Sequence, residues 1–162
     1  EVHLMQAEAN IKCDPEAAER VLKSGLPIFT ATWSVSRALR FTIAEIDKAV
    51  PGTAVPFLTA LREATRLWWE RAAHYKPGPV CYDVVPVFWA AEERDGIACK
   101  KLTSLPVETR GVYTRGMTVG PALDVMYAPT AAAASPGTVL VTDSLDAERL
   151  KRAYMARVFT AG

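Results

Sequence analysis

The sequence predicts a layered α/β fold, with a central mixed sheet, helices on its faces and an antiparallel hairpin excursion. A helix that begins at Pro15 and ends before Gly25 runs directly into the apolar, β-rich segment 26–32, and a strand after a helix is the repeating unit of α/β sheets. A second β-rich segment, 138–142, precedes a terminal helix. Between them, the segments 101–109 and 112–119 indicate an antiparallel pair.

The first helix has signals at both of its ends. Asp14 is a natural N-cap, Pro15 suits the first helical position, and the Glu16 carboxylate favours the positive end of the helix dipole. Gly25 suits the turn after the last helical residue. The apolar stripe at helical spacing consists of Ala17, Ala18, Val21 and Leu22.

Three more helices are predicted along the chain. Thr42 and Glu45 have the spacing of a capping box ahead of 46–50. A long helix is predicted over 55–75 and a shorter one over 84–93. The stripe of the long helix, with Trp68 expected in the core, consists of Phe57, Leu58, Leu61, Ala64, Thr65, Trp68 and Ala72.

Composition and charge are those of one globular domain. The chain has 162 residues, 50% hydrophobic and 23% charged, with a net charge of +1, which predicts a single domain over 1–162 and neither nucleic acid nor a membrane as partner. No apolar run approaches the roughly 18–20 residues that span a bilayer. Its three cysteines form no CxxC pair, which suits a cytoplasmic protein. Since the first residue is Glu1 rather than Met, we expect a piece of something longer.

Three side chains stand where a binding site could form. If 7–13 is extended, Glu8 and Asn10 point to the same side of the strand. Asp83 stands at the start of the helix predicted over 84–93, where a simple N-cap is the default interpretation. Carboxylate and amide oxygens suit a hard cation such as Ca²⁺ or a polyhydroxylated ligand such as a sugar. These residues alone do not name a reaction.

Three segments, in their order along the chain, carry a family resemblance. They are AEANIKCDPEAAERVLKSGLPI, VCYDVVPVFWA and VETRGVYTRGMTV. Together they resemble the inosine–uridine-preferring nucleoside hydrolase family, whose members have an AE-x-N segment leading into a DPEAA helix, an Asp-containing loop entering a helix, and a VE-x-x-G…TRG-x-T-V hairpin. The resemblance covers essentially the whole chain but only the C-terminal half of a member.

The resemblance implies an N-ribohydrolase of nucleoside salvage that cleaves the N-glycosidic bond of a nucleoside with a calcium-positioned water, on a Rossmann-like sheet. By position, Glu8 and Asn10 would bind ribose hydroxyls and Asp83 would be one Ca²⁺ ligand. Tyr82 stands where members have a His or Trp associated with the leaving base. Members are often dimers or tetramers, so a homo-oligomer is a further expectation.

Departures from the family pattern leave alternatives open. The aspartate-rich motif DxDxxxDD is absent from the chain, so we expect an N-terminal half or complementary chain as partner, and no activity without it. Ala9 replaces an aromatic residue, and Tyr82 cannot act as an imidazolium acid. A second hypothesis is therefore a catalytically inactive ligand-binding or regulatory module of this fold. A third is a generic α/β domain in which Glu8 and Asp83 are only structural.

Overall fold

The computed structural model describes residues 7–49, 55–71, 78–119 and 137–159. These fall into two compact units, the first comprising Glu1–Thr32 with Ala98–Asp143, and the second Trp33–Ile97 with Ser144–Gly162. The helices are α1 (Ala9–Cys13), α2 (Pro15–Leu22), α3 (Trp33–Ser36), α4 (Ile43–Ala49), α5 (Pro56–Arg71), α6 (Val84–Ala90) and α7 (Ala147–Phe159). The strands are β1 (Ile28–Thr30), β2 (Ile97–Leu102) and β3 (Val139–Leu145).

The described strands form a mixed three-stranded sheet in the order β1-β3-β2. Strand β1 runs parallel to β3, with Ile28 opposite Val139. Just beyond β1, the backbone N–H of Thr32 donates to the buried Thr142 hydroxyl at 2.8 Å, which extends the connection between the two segments. The α/β class with a mixed central sheet, predicted from the helix–strand order, is confirmed.

The hairpin predicted over 101–119 is much shorter than expected. Strand β2 already ends at Leu102, and a single antiparallel bridge joins Val107 to Thr118. Within that bridge the Glu108 carboxylate accepts the backbone N–H of Arg110 at 2.8 Å and that of Gly111 at 3.0 Å. These bonds stabilise the turn at Arg110 and Gly111, where it was predicted, while turns over 112–116 take the place of most of the second predicted strand.

The capping box predicted in the second unit is confirmed. The Thr42 N–H donates to Glu45 Oε2 at 2.7 Å, and the Glu45 N–H donates to the Thr42 hydroxyl at 3.1 Å. The other Glu45 oxygen pairs with Lys151 of α7 at 2.6 Å. Burial alone would raise the pKa of Glu45, but the hydrogen bonds from Lys151 and Thr42 outweigh it and lower that pKa below its ordinary value. One carboxylate thus caps α4 and ties it to α7.

Helix α5 differs most from its prediction. Its apolar stripe was expected to be buried, yet no residue of Pro56–Arg71 is, and the Trp68 side chain is 46% exposed. Ala72 and the rest of the predicted helix, 72–75, lie outside the described residues. Part of the stripe lines an open cleft of about 390 Å³ within the second unit. The apolar lining of this cleft includes Phe41, Ile46, Leu61, Trp68 and Pro79. Amphipathic spacing selects the face of a helix but does not set how closely a neighbouring element covers it.

We expect the Glu45–Lys151 pair to make stability depend on acid pH. Because the folded-state pKa of Glu45 is depressed, its contribution is present above the ordinary value of 4.5 and lost as pH falls through the folded-state pKa. Glu45→Gln keeps a capping acceptor but removes the charge. Urea unfolding should therefore find the variant less stable than wild type at pH 7, with the difference shrinking below pH 4.5. A difference that is the same at every pH would contradict the pairing.

Candidate functional site

Glu8 and Asn10 lie together, as predicted, but on a helix. The Asn10 side-chain amide donates to Glu8 Oε1 at 3.2 Å. The second carboxylate oxygen, Oε2, accepts the backbone N–H of Ile11 at 3.0 Å, so Glu8 is the N-cap of α1. Asn10 is exposed and Glu8 is half-buried. The two side chains form one polar cluster at the start of α1, which we call the Glu8–Asn10 pair.

The prediction that 7–13 is extended is wrong. Residues Ala9–Cys13 are helical, and the N–H of Lys12 donates to the carbonyl of Glu8 at 2.8 Å. The i, i+2 alternation of a strand therefore does not bring the pair together. Their proximity comes instead from the short Asn10 side chain reaching back to the capping carboxylate, a local contact of the kind that Asn favours.

The junction between α1 and α2 has the predicted capping chemistry. Asp14 ends α1 and caps α2, since its carboxylate accepts the N–H of Ala17 at 2.9 Å. Pro15 occupies the first position of α2 and is buried. Gly25, with φ +79°, provides the left-handed turn after the helix. Asp14 therefore fixes where α1 ends and where α2 begins, and the Glu8–Asn10 pair lies at the opposite end of α1.

Residues 108–117 contact this segment from far along the chain. The Arg115 guanidinium makes two hydrogen bonds to the Glu16 carboxylate, at 2.6 Å and 2.8 Å, and a third to the carbonyl of Thr109. The bonds from Arg115 lower the pKa of Glu16 below its ordinary value, and the same contact raises the pKa of Arg115. Neither Arg115 nor Glu16 was assigned a contact from sequence, although the TRG and DPEAA motifs contain them. No local pattern connects residues so far apart.

Tyr82 and Asp83 lie in the second unit, in the turn that leads into α6. The carbonyl of Tyr82 accepts the N–H of Val85 at 3.3 Å, and the carbonyl of Asp83 accepts that of Val87 at 3.4 Å. The Asp83 side chain is exposed and makes no capping hydrogen bond. Asp83 thus occupies the predicted N-cap position of α6, but its carboxylate makes no bond to its own helix.

The thiol of Cys81 lies immediately before these two residues. Burial, with a smaller contribution from the Asp83 carboxylate, raises the pKa of Cys81. Cys81 also lines the apolar cleft beside Tyr154, whose pKa is raised by burial. Both groups are thus held neutral, and the charge at this end of α6 comes from Asp83.

The fit to a metal ion is limited to single ligands. Within 7–49, 55–71, 78–119 and 137–159, no three His, Cys, Asp or Glu side chains gather in a way that would hold a metal ion. Ca²⁺ takes about six to eight oxygen ligands. Asp83 suits that ion by donor chemistry, as an exposed carboxylate without a cap bond. Asp83 is thus a single oxygen donor of the kind that Ca²⁺ accepts, and within the described residues no set of three such ligands is assembled.

Comparison with known proteins gives a family match along most of the chain. The family model "Inosine-uridine preferring nucleoside hydrolase" matches residues 2–152. The pyrimidine-specific ribonucleoside hydrolase RihA of Salmonella paratyphi C is 32% identical over 116 residues, covering 70% of this chain and 36% of that protein. RihA of Klebsiella pneumoniae is 28% identical over 122 residues, with the same coverage. The chain thus spans little more than a third of these relatives.

Solved structures share the fold. The purine-preferring ribonucleoside hydrolase from Gardnerella vaginalis matches with a TM-score of 0.73 and 22% identity, over 95% of this chain and 46% of that one. The plant nucleoside hydrolase PpNRh1 matches with a TM-score of 0.68 and 18% identity, over 94% of this chain and 47% of its own. Separately, no helix in the described part of this chain is long and apolar enough to cross a membrane.

We expect Glu8→Ala to fray the start of α1, because it removes the acceptor for the Ile11 N–H. Loss of a side-chain N-cap costs about 1 kcal/mol, which corresponds to an exchange rate about fivefold higher at that amide. Hydrogen exchange followed by NMR measures it. Glu19→Ala is the matched control, since Glu19 pairs with Lys23 on α2. Equal Ile11 exchange in both variants would contradict the cap.

Proposed function

Because the chain belongs to the inosine-uridine preferring nucleoside hydrolase family, we propose that it forms the C-terminal part of an N-ribohydrolase domain. The reaction breaks the N-glycosidic bond of a ribonucleoside, with water supplying the hydroxyl to the sugar and the proton to the base. The family match over residues 2–152 is the observation that carries the proposal. The polar side chains Glu8, Asn10 and Asp83 support it, since each is of a type that a sugar or a hard cation requires.

In this proposal the Glu8–Asn10 pair binds the ribose hydroxyls. A carboxylate oxygen has more than one lone pair, so each oxygen of Glu8 can accept from a sugar hydroxyl beside its existing bond to Asn10 or Ile11. Asn10 offers both a donor and an acceptor. The existing bonds keep the carboxylate in one orientation, so that little side-chain freedom is lost when sugar binds.

Asp83 and Tyr82 are a cation ligand and a base contact in this proposal. Asp83 contributes one oxygen ligand to Ca²⁺, and the remaining ligands come from an aspartate-rich segment of the DxDxxxDD type that this chain lacks. When bound, the cation would position the attacking water and lower its pKa. The Tyr82 phenol donates a hydrogen bond to the departing base or stacks on it. The negative charge of Glu8 favours the positive charge that develops on the sugar.

Release of ribose from nucleosides tests the proposal directly. We expect no release of ribose from inosine or uridine by this chain alone, and calcium-dependent release when an aspartate-rich N-terminal segment of a family member is co-expressed with it. Activity of the chain alone would show that the site needs no such partner. Absence of hydrolysis in both preparations, with a purine and a pyrimidine nucleoside, would count against the enzyme.

We expect Asp83→Asn to lower nucleoside hydrolysis about a hundredfold or more, because the amide is a weaker ligand for a hard cation than the carboxylate. Calcium titration calorimetry should show a parallel loss of affinity. Asp95→Asn is the matched control, since Asp95 is an exposed acid of the same unit that pairs with Arg149. Full activity and unchanged calcium affinity in Asp83→Asn would overturn the metal assignment.

A ligand-binding module without catalysis is the second candidate. It is favoured by Ala9 and Tyr82, which stand where members of the family have an aromatic residue and a His or Trp associated with the leaving base.

Calorimetry of the co-expressed preparation with ribose and Ca²⁺ distinguishes the two candidates. Ribose binding that is lost in Asn10→Ala, together with no turnover of any common nucleoside, is expected for the module. Turnover that is lost in Asn10→Ala is expected for the enzyme. An Asn10→Ala protein that binds and turns over as wild type would exclude a role for the pair in either candidate.

A further inference from the structure

Residues 108–117 contact both α1 and α2. We propose that Arg115 is a positioning residue for the Glu8–Asn10 pair at the start of α1. Arg115 contacts the first turn of α2, and the next residue, Gly116, contacts the end of α1. The inference rests on the proposed function, since it assigns Arg115 to the orientation of the sugar-binding side chains. Every residue involved belongs to the first unit.

Helix α1 cannot hold its own position. It has five residues and none of them is buried. Isolated helices shorter than about 12–15 residues are marginal in water, even when their residues favour helix. The position of the pair therefore depends on contacts that other segments make with α1 and with its continuation into α2.

Gly116 supplies the first of these contacts. Its φ is +84°, and a Cβ built on it would lie 2.8 Å from Lys12 Cα. A Cβ does not approach another backbone atom so closely, so only glycine allows this contact with α1. The contact is at Lys12, one helical turn after Glu8, whose carbonyl accepts the Lys12 N–H. Movement at Lys12 would therefore be transmitted to Glu8, the first residue of the Glu8–Asn10 pair.

Arg115 supplies the second contact. Its guanidinium donates hydrogen bonds to both oxygens of the Glu16 carboxylate and to the Thr109 carbonyl. Such a two-point contact sets the relative orientation of its partners, which a single charge contact does not. The side chains of Arg115 and Glu16 are 47% and 52% exposed, and exposed pairs add little to the stability of a protein. Geometry is thus the main consequence of this contact.

The loop that carries Arg115, residues 108–117, is held by hydrogen bonds between its own residues. The N–H of Gly116 donates to the carbonyl of Glu108 at 2.7 Å, and the N–H of Glu108 donates to that of Met117 at 2.9 Å. The Glu108 carboxylate accepts two more N–H groups, and these bonds lower the pKa of Glu108 below its ordinary value. Because the loop is held by its own hydrogen bonds, its two adjacent contacts fix the position of α1 relative to α2.

Arg115→Met tests the proposal, because it keeps most of the length of the side chain and removes both bonds to Glu16. Arg115→Lys keeps the charge but not the two-point geometry. Arg110→Met is the matched control, since Arg110 lies in the same loop and its guanidinium forms no salt bridge within the described residues. Both positions are exposed, so the three variants should unfold in urea at nearly the wild-type midpoint.

Hydrogen exchange is the readout that does not depend on activity. We expect the amides of residues 11–13 to exchange about five times faster in Arg115→Met, and by a smaller factor in Arg115→Lys. The amides of α7, in the other unit, and every amide of Arg110→Met should exchange at wild-type rates. Unchanged exchange over 11–13 in Arg115→Met would overturn the proposal.

Kinetics then test what the positioning is for. In the co-expressed preparation, KM for a nucleoside should rise about tenfold in Arg115→Met with a smaller change in kcat, and Arg115→Lys should fall between it and wild type. An unchanged KM alongside faster exchange would also overturn the proposal. If wild type neither hydrolyses nucleosides nor binds ribose, the proposed function fails and with it the assignment to sugar binding, while the exchange rates still decide whether Arg115 holds α1.

Discussion

The parallel pairing of β1 with β3 is the constraint on which the first unit depends. It joins Ile28–Thr30 to residues more than a hundred positions later, and the bonds between Thr32 and Thr142 extend it. Once β1 is held, α2 is held, because only a short turn through Gly25 separates them. The capped junction at Asp14 then carries the constraint on to α1 and to the Glu8–Asn10 pair.

Glu8 combines an observed structural role with a proposed chemical one. One of its oxygens begins the helix and the other holds Asn10, so the side chain is already oriented before any ligand arrives. Orientation in advance reduces the entropy lost on binding but limits how many new bonds the carboxylate can make. Asp83 is the opposite case, because its carboxylate is exposed and makes no bond to its own helix. In the proposed function these two acids accordingly have different partners, the first a hydroxyl-rich sugar and the second a cation.

Short-range signals were the most reliable guide to local structure. The Asp14 cap and the Thr42–Glu45 capping box both form as predicted, since each depends only on a side chain and a backbone amide three residues away. The errors concern segments whose state depends on more distant partners. The polar spacing around Glu8 is equally compatible with a strand, and the hairpin expected over 101–119 is reduced to one bridge, with turns over 112–116.

The sequence by itself determined the α/β class, the caps of α2 and α4, and the identity of the polar side chains around Glu8 and Asp83. These follow from interactions within a few residues and from motifs read in order. The tertiary structure alone decided that α5 borders an open cleft and that Arg115 forms an ion pair with Glu16, 99 positions away. Contacts of that kind leave no periodicity in the chain, because they depend on which surfaces folding brings together.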